Sequence, residues 1–471
     1  MRQNKGLERR SESIRAERAL ASRFSGESVR PATRTTDELR RAGLFTPAQQ
    51  QAAIIGGVIL LFGLLVLQKF GIPFSDDQVV QLCLPCAYLA ILAIIILSRK
   101  IGIDYYRLLF FLVFSGLAVA TNVLSGRPYS SLSLVYVMAI YFPFVFRFFI
   151  SASVYRRLMN IYVLAAMGIV ALVVIEHLIQ LSFSSAAWPA IEKAVPTDFL
   201  VKDYNYIQPI QYGSRLMKPN AVFLLEASFV SQYIALGLIV ELIFFGRMWR
   251  MLILTAGLLL SFGGSGLLLV IACLPFLVLR MSPRVMLVAL VVLVFAGLAA
   301  LEFGWYTQVS HRMTEYQLAT SSAHERFVSP ATALVDFLQR PDALYMGVGA
   351  GQIDIGHGEA WWPVTKVTVE YGVLTASAFF AFFLYSLFGE GGHLRMGFAL
   401  FLFYNFLSGS FAVPVNALTC VFFCTLFRVA NPPKPPRRIR RPSPQAHTSA
   451  AAEPAPEALE QSRQSPIEDP I

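Results

Sequence analysis

Apolar residues in this chain come in runs of about 17–25, each long enough to cross a bilayer as a helix. Lipid offers the backbone no water to bond, so a run of this kind must satisfy its own N–H and C=O groups. The requirement leaves little choice of fold. Composition agrees: 56% of the 471 residues are hydrophobic and 14% are charged, where a soluble chain carries about 25% charged residues. A soluble enzyme, a disordered protein and a disulfide scaffold are all excluded. The expected class is an all-α polytopic membrane protein.

The runs fall at about 52–68, 79–98, 106–124, 132–150, 159–181, 221–245, 251–279, 286–303, 366–388 and 396–428. Two of them need dividing. As one straight helix, 251–279 would rise about 43 Å, too long for a core of about 30 Å. Ser261-Phe262-Gly263-Gly264-Ser265-Gly266 offers a tight turn inside it. Splitting there gives about 251–262 and 265–280, and brings Arg247, Arg250, Arg280 and Arg284 to one side. The last run divides near Ser408-Gly409-Ser410 and Pro414. The result is about twelve crossings, with a large and partly helical outer loop between the ninth and tenth.

The net charge is +10, and its placement sets the orientation. Arg99-Lys100, Arg156-Arg157, Arg247, Arg250, Arg280, Arg284 and Arg395 all share one side with both tails. Basic residues mark the cytoplasmic side. The loop at about 304–365 has three Arg against six Asp plus Glu, and Trp188, Trp305, Trp361 and Trp362 lie in or beside the outer loops. The expected location is therefore an inner, plasma-type membrane, with both termini cytoplasmic. Residues 1–50 read as a basic cytoplasmic tail, partly helical around Ser11–Ala21, and 51–428 as the transmembrane domain. Residues 429–471, rich in Pro, Ala, Glu and Ser, read as a disordered tail. Positive charge arranged this way signals topology, so nucleic acid is not an expected partner. Cys83-Leu-Pro-Cys86 sits in an apolar run, and its Pro suggests a kinked helix more than a redox pair.

Two outer segments, about 182–220 and 304–365, are too long for simple turns and are where function is expected. In the second, Ser322-Ala323-His324-Glu325 has the spacing of a capping box. Phe327, Ala331, Leu334 and Leu338 would then share one helical face, and Arg340-Pro341 would end the helix. Gly347-Val348-Gly349-Ala350-Gly351 follows. Such a turn can aim N–H groups at a phosphate, or can simply be a tight turn. His357 can accept a proton from a hydroxyl, or can be a surface residue. Arg215 and Arg326 suit a diphosphate, or can reach to lipid headgroups; Lys218 is a further cation. Glu226, Glu370 and Glu176-His177 lie near the outer ends of their runs. Ionisable groups there are costly and hence functional candidates, and their common level suggests a shared polar cavity. No Asp-x-Asp or zinc motif occurs, so neither metal nor cofactor is expected.

Taken in order, Arg340-Pro341, Gly347 to Gly351, His357 and Glu370-Tyr371-Gly372 resemble the O-antigen ligase/polymerase superfamily. Arg215, Pro219-Asn220-Ala221 and Glu226-Ala227-Ser228 are similar to its upstream motif, and together they span roughly 205–385. The resemblance implies a metal-independent membrane glycosyltransferase that uses a sugar chain carried on a polyprenyl diphosphate. By position, Arg215 and Arg326 would hold the diphosphate and His357 would activate the acceptor hydroxyl, with His324 as the other candidate base. Glu226, Glu370, Lys218, Gly347, Gly349 and Gly351 would bind substrate. The exopolysaccharide polymerase branch fits the Glu-Ala-Ser form best. A glycan ligase of the same superfamily and a transporter of lipid-linked sugars are the alternatives. Expected partners are the polyprenyl-diphosphate-linked oligosaccharide and the lipid bilayer, with chain-length regulator and export proteins as further candidates.

Overall fold

A computed structural model describes residues 46–73, 79–183, 191–202, 204, 206–210, 214–278, 324–353, 362–389, 393–407 and 411–429; at 278, 325 and 326 it describes the backbone alone. Both tails and the run at 286–303 lie outside these residues. Among the described residues, five helices are long and apolar enough to cross a membrane: α1 (Pro47–Leu65), α3 (Tyr105–Leu124), α5 (Ala152–Phe183), α6 (Ala227–Phe244) and α10 (Pro363–Phe388). Shorter apolar helices accompany them: α2 (Cys83–Ser98), α4 (Ser131–Tyr141), α7 (Met248–Leu260), α8 (Gly264–Val278), α11 (Leu394–Leu402) and α12 (Pro414–Cys420). A further helix, α9 (Ser329–Leu338), is too short to cross and packs against α10. The protein is a helical membrane protein.

Local chemistry starts the helices where the sequence permits. Thr46 accepts from the Gln49 N–H, and the Gln49 side chain accepts from the Thr46 N–H, a reciprocal cap with Pro47 in the first turn. Asp104 and Ser130 cap α3 and α4 one way, their side chains accepting from the N–H groups of Arg107 and Ser133. Pro85 lies in the first turn of α2, where its missing N–H costs nothing. It therefore starts the helix rather than kinking it, and Cys83 and Cys86 are free and buried.

Burial separates the helices by role. Leu89 and Ile96 on α2, Leu109 and Leu112 on α3, and Leu178 and Leu181 on α5 are exposed. Apolar faces of this extent are unsuited to water and suited to lipid. Helix α6 is instead enclosed on all sides, with Val230, Tyr233, Ile234, Leu236 and Ile239 inaccessible or nearly so. It is the central helix. The expected break at Ser261–Gly266 is present, with α7 ending at Leu260 and α8 starting at Gly264. Gly266 is needed there because a Cβ would lie 2.2 Å from the Ser231 carbonyl oxygen. Backbone thus packs directly on backbone between α6 and α8. The last run also divides, each half winding into a π-turn, at Phe403–Leu407 and Val421–Thr425.

Among the described residues, five short strands add to the helical expectation. β1 (Gly71–Pro73) and β2 (Val79–Gln81) form a hairpin at one end of the bundle. At the other end β4 (Phe146–Ile150) pairs antiparallel with β3 (Gly102–Ile103) and parallel with β5 (Phe427–Val429). Arg107 is fully buried beside this sheet and donates to the Phe144 and Thr425 carbonyls at 3.2 and 3.0 Å. Arg428 donates to the Ser386 and Gly389 carbonyls. Arg156, Arg247 and Arg250 also bond at this end, to the Phe244 carbonyl and the Asn160 side chain. These arginines are therefore gathered at one end, and the described parts of the long loops lie at the other.

Candidate functional site

At the loop end, a buried polar network shapes the chain just before α6. Lys69, which follows α1, is completely buried and forms an ion pair with Glu192. It also donates to the Val222 carbonyl at 2.6 Å and lies 5.5 Å from the Tyr206 ring centre. Burial lowers the Lys69 pKa, and the Glu192 carboxylate opposes that shift. Asn220 donates to Glu192 at 3.0 Å and to the Tyr206 carbonyl. From α5, Glu176 accepts from the N–H groups of Ala221 and Val222 at 3.2 and 2.7 Å. Those two residues have φ of 50° and 63°, a left-handed conformation that a β-branched residue such as Val222 avoids. The carboxylate holds them in it. Gln180 exchanges two hydrogen bonds with Met217, fixing the strip that leads in.

This network delivers Glu226 to the N-terminus of α6, where it is buried and accepts from the Ser228 hydroxyl at 3.0 Å. Arg215 is exposed on the strip between Gln180 and the bend. Lys218 is partly buried, and its N–H bonds the Gln208 carbonyl. Sequence reasoning found Glu176 and Glu226 but missed Lys69, Gln180 and Glu192. The available signal was Lys69 itself, a charge directly after an apolar run.

The glycine turn belongs to a second structure. Helix α10 is broken at Gly372, whose φ and ψ are 79° and 167°. The turn is seated in this break. The Val348 N–H donates to the Val369 carbonyl at 2.8 Å, the Gly349 N–H to the Glu370 carbonyl at 3.0 Å, and the Val373 N–H to the Leu344 carbonyl at 2.9 Å. The Ala350 N–H donates to the Asn122 side chain at 2.8 Å, and Arg127 donates to the Gly347 carbonyl at 2.7 Å. A Cβ on Gly347 would meet the Glu370 carbonyl at 2.3 Å, one on Gly349 the Pro128 carbonyl at 2.3 Å, and one on Gly351 the Ser133 hydroxyl at 2.9 Å. The glycines permit close approach, and the N–H groups at 347 to 350 already bond protein atoms. Of the two readings of this turn, tight packing has the geometric support. Glu370 is buried with Lys366 3.5 Å away, one helical turn earlier.

Beside this break lies a cavity of about 200 Å³ on one face of α9. Ser329, Thr332, Asp336 and Arg340 follow one another along that face, and His324 joins them from the preceding π-turn. Phe337 and Val369 supply the apolar part of the wall. The expected apolar face of this helix needs correction. Pro330 and Phe337 are its buried residues, while Leu338 is exposed. The helix begins at Ser329, after the π-turn at His324–Val328, and the wider turn rotates the phase away from Phe327, Ala331, Leu334 and Leu338. It ends by Gln339, just before Arg340-Pro341 as the sequence predicts.

The Glu176–Glu226 group and the Glu370 group are thus built by different partners, and the cavity on α9 is lined by neither Glu226 nor Glu370. His357, and the capping Ser322, lie outside the described residues, as does the Arg326 side chain. His177 bonds the Leu260 carbonyl at 2.9 Å and packs on Phe262, away from Glu176. Among the described residues no cluster of three or more His, Cys, Asp or Glu could hold a metal. Compared with known families, curated proteins and solved structures, the chain matches none of them.

Proposed function

We propose that this protein is a polysaccharide polymerase of the outer face of the bacterial inner membrane. It would take a glycan from a polyprenyl diphosphate and join it to a hydroxyl of the next lipid-linked repeat unit. The bond between the anomeric carbon and the diphosphate oxygen breaks, and a glycosidic bond to the acceptor oxygen forms. The acceptor proton passes to a base, His357 or His324, and the diphosphate departs on its lipid. Arg215 and Arg326 would carry the leaving charge, a task that suits the planar guanidinium. The released lipid diphosphate supplies the driving force.

One observation above all supports this reading. Glycines at 347 to 351 and Glu370-Tyr371-Gly372, which the sequence presents as separate motifs, form a single interlocked unit at the loop end of the bundle. A broken helix beside a polar cavity suits a substrate that reaches from lipid into water. The reading includes about twelve crossings with both termini cytoplasmic. Its support is that the described helices alternate between the arginine-rich end and the loop end.

The test is synthesis by the purified full chain in detergent, supplied only with its lipid-linked repeat unit. A ladder of longer lipid-linked glycans is expected, and Arg215→Ala, Arg326→Ala and His357→Ala should each abolish it at unchanged protein level. Transfer to a lipid or protein acceptor without a ladder would make the protein a ligase. Donor translocation in vesicles without chemistry would make it a transporter.

A further inference from the structure

Apart from His324, the residues lining the cavity on α9 have no part in the transfer chemistry proposed above. Along the helix, Ser329, Thr332, Asp336 and Arg340 recur at three- and four-residue spacing, so one face presents hydroxyl, hydroxyl, carboxylate and guanidinium in a row. His324 adds an imidazole at its start. The Thr332 hydroxyl donates to the Val328 carbonyl at 3.1 Å, which leaves its oxygen as an acceptor. The Asp336 and Arg340 side chains are exposed toward solvent, although they stand one turn apart and carry opposite charges.

Beside these groups the wall is apolar, formed by Ala333 and Phe337 of α9 and Val369 of α10. Phe337 is nearly inaccessible, and Val369 packs with it, Ala343 and Ile353 in a small core of their own. That core is tied to the glycine turn, because Val348 packs against it and donates its N–H to the Val369 carbonyl. The residue after Val369 is Glu370, at the break in α10. The cavity is therefore fixed relative to the break by a hydrogen bond and a packed core.

We propose that this cavity is a subsite for one pyranose ring. A pyranose has C–H edges that suit the small apolar surface left by Ala333, Phe337 and Val369, and a rim of hydroxyls that suits a mixed row of donors and acceptors. Asp336 can accept from two adjacent hydroxyls while Arg340 donates to their neighbours or to the ring oxygen. A volume of about 200 Å³ is below the ~300–1,000 Å³ of sites for larger ligands, and it suits a single sugar. A bare phosphate would leave the apolar wall unused and place its charge beside Asp336. In the polymerase reading, on which this last step rests, the sugar belongs to the lipid-linked repeat unit and is held one turn of α10 from the break.

The experiment measures sugar binding apart from catalysis. Saturation-transfer NMR on the detergent-purified full chain would use glucose, galactose, rhamnose and glucuronate as probes, with inorganic pyrophosphate as a separate probe. At least one sugar should bind the wild type. Asp336→Asn and Arg340→Gln should each weaken it about tenfold or more, the loss of one charged hydrogen-bonding partner, without changing the unfolding temperature. Both residues are exposed, so neither substitution threatens the fold. Val335→Thr, on the adjacent exposed face, should leave binding unchanged. Binding that ignores Asp336 and Arg340, or no sugar binding at all, overturns the subsite, and pyrophosphate binding in its place makes the cavity an anion site. A wild type that builds the glycan ladder yet fails here refutes the subsite alone. A wild type that binds sugar through Asp336 yet makes no product refutes the polymerase reading alone.

Discussion

Gly372→Ala should separate the glycine turn from the helix that holds it. At φ 79° and ψ 167° the backbone occupies a region open essentially to glycine, and any other residue there costs ~1–3 kcal/mol. The new Cβ would stand 2.1 Å from the Tyr345 carbonyl oxygen, where ordinary contact begins at 3.4 Å. The loop must retreat by the difference, 1.3 Å (3.4 − 2.1). Three hydrogen bonds span that gap: Val348 to Val369, Gly349 to Glu370 and Val373 to Leu344. At about 1 kcal/mol each, their loss and the backbone strain add to roughly 4–6 kcal/mol. This is comparable with the whole stability of many domains, about 5–15 kcal/mol. The assay is thermal unfolding of the detergent-purified variant, with limited proteolysis at 340–353 as a local probe. Gly116→Ala is the control. It sits inside α3 with no atom within 4 Å of its Cβ, so it should be neutral or stabilising by about 0.5–1 kcal/mol. If Gly372→Ala unfolds at the temperature of Gly116→Ala, and 340–353 stays protected, the seat is not what holds the turn.

Other expectations follow from the network before α6. Lys69→Met leaves Glu192 buried without its cation and should cost about 3–5 kcal/mol, read as a fall in unfolding temperature; an unchanged temperature would mean the pair is dispensable. Because burial lowers the Lys69 pKa, the folded state binds fewer protons than the unfolded one between that lowered value and the ordinary 10.5. Stability from this residue is thus full above the unfolded value and declines as pH falls toward the folded one. The wild type should therefore gain more stability than Lys69→Met on going from pH 8 to pH 10, and equal gains would contradict the assignment. Glu176→Gln loses the charge that holds two left-handed residues and should cost about 1–3 kcal/mol, with faster hydrogen exchange at Ala221 and Val222. Gly266→Ala would push α8 off the Ser231 carbonyl and should abolish a stable bundle; recovery of wild-type yield and unfolding temperature would refute that packing.

What the sequence disclosed was local. The α7–α8 break at Ser261–Gly266 was legible because small residues and glycines can do little else there, and α9 ended where Arg340-Pro341 required. The glycine turn was legible as a turn, but its seat was not, since nothing near Gly347 names Glu370 or Gly372 as the receiving backbone. Lys69 and Glu192 are 123 positions apart, and no periodicity connects them. The apolar face of α9 was misplaced because a π-turn shifts the phase of everything after it, and side-chain spacing alone does not reveal that extra residue. The short sheet was hidden for a related reason: strands of two to five residues inside apolar sequence have no alternating pattern to detect.

That sheet also sets an order of manufacture. Phe148 donates its N–H to the Leu426 carbonyl, and β4 pairs with β5 only through residues 427–429. Arg107 waits for the Thr425 carbonyl, 318 positions later, and Tyr155 for that of Phe423. A chain emerging from the ribosome therefore makes its early helices before one acceptor of the Arg107 guanidinium, the acceptor of the Tyr155 phenol and the second neighbour of β4 exist. The fold of the first half is completed only by the last residues of the bundle. A chain stopped short of residue 423 would lack all of these partners.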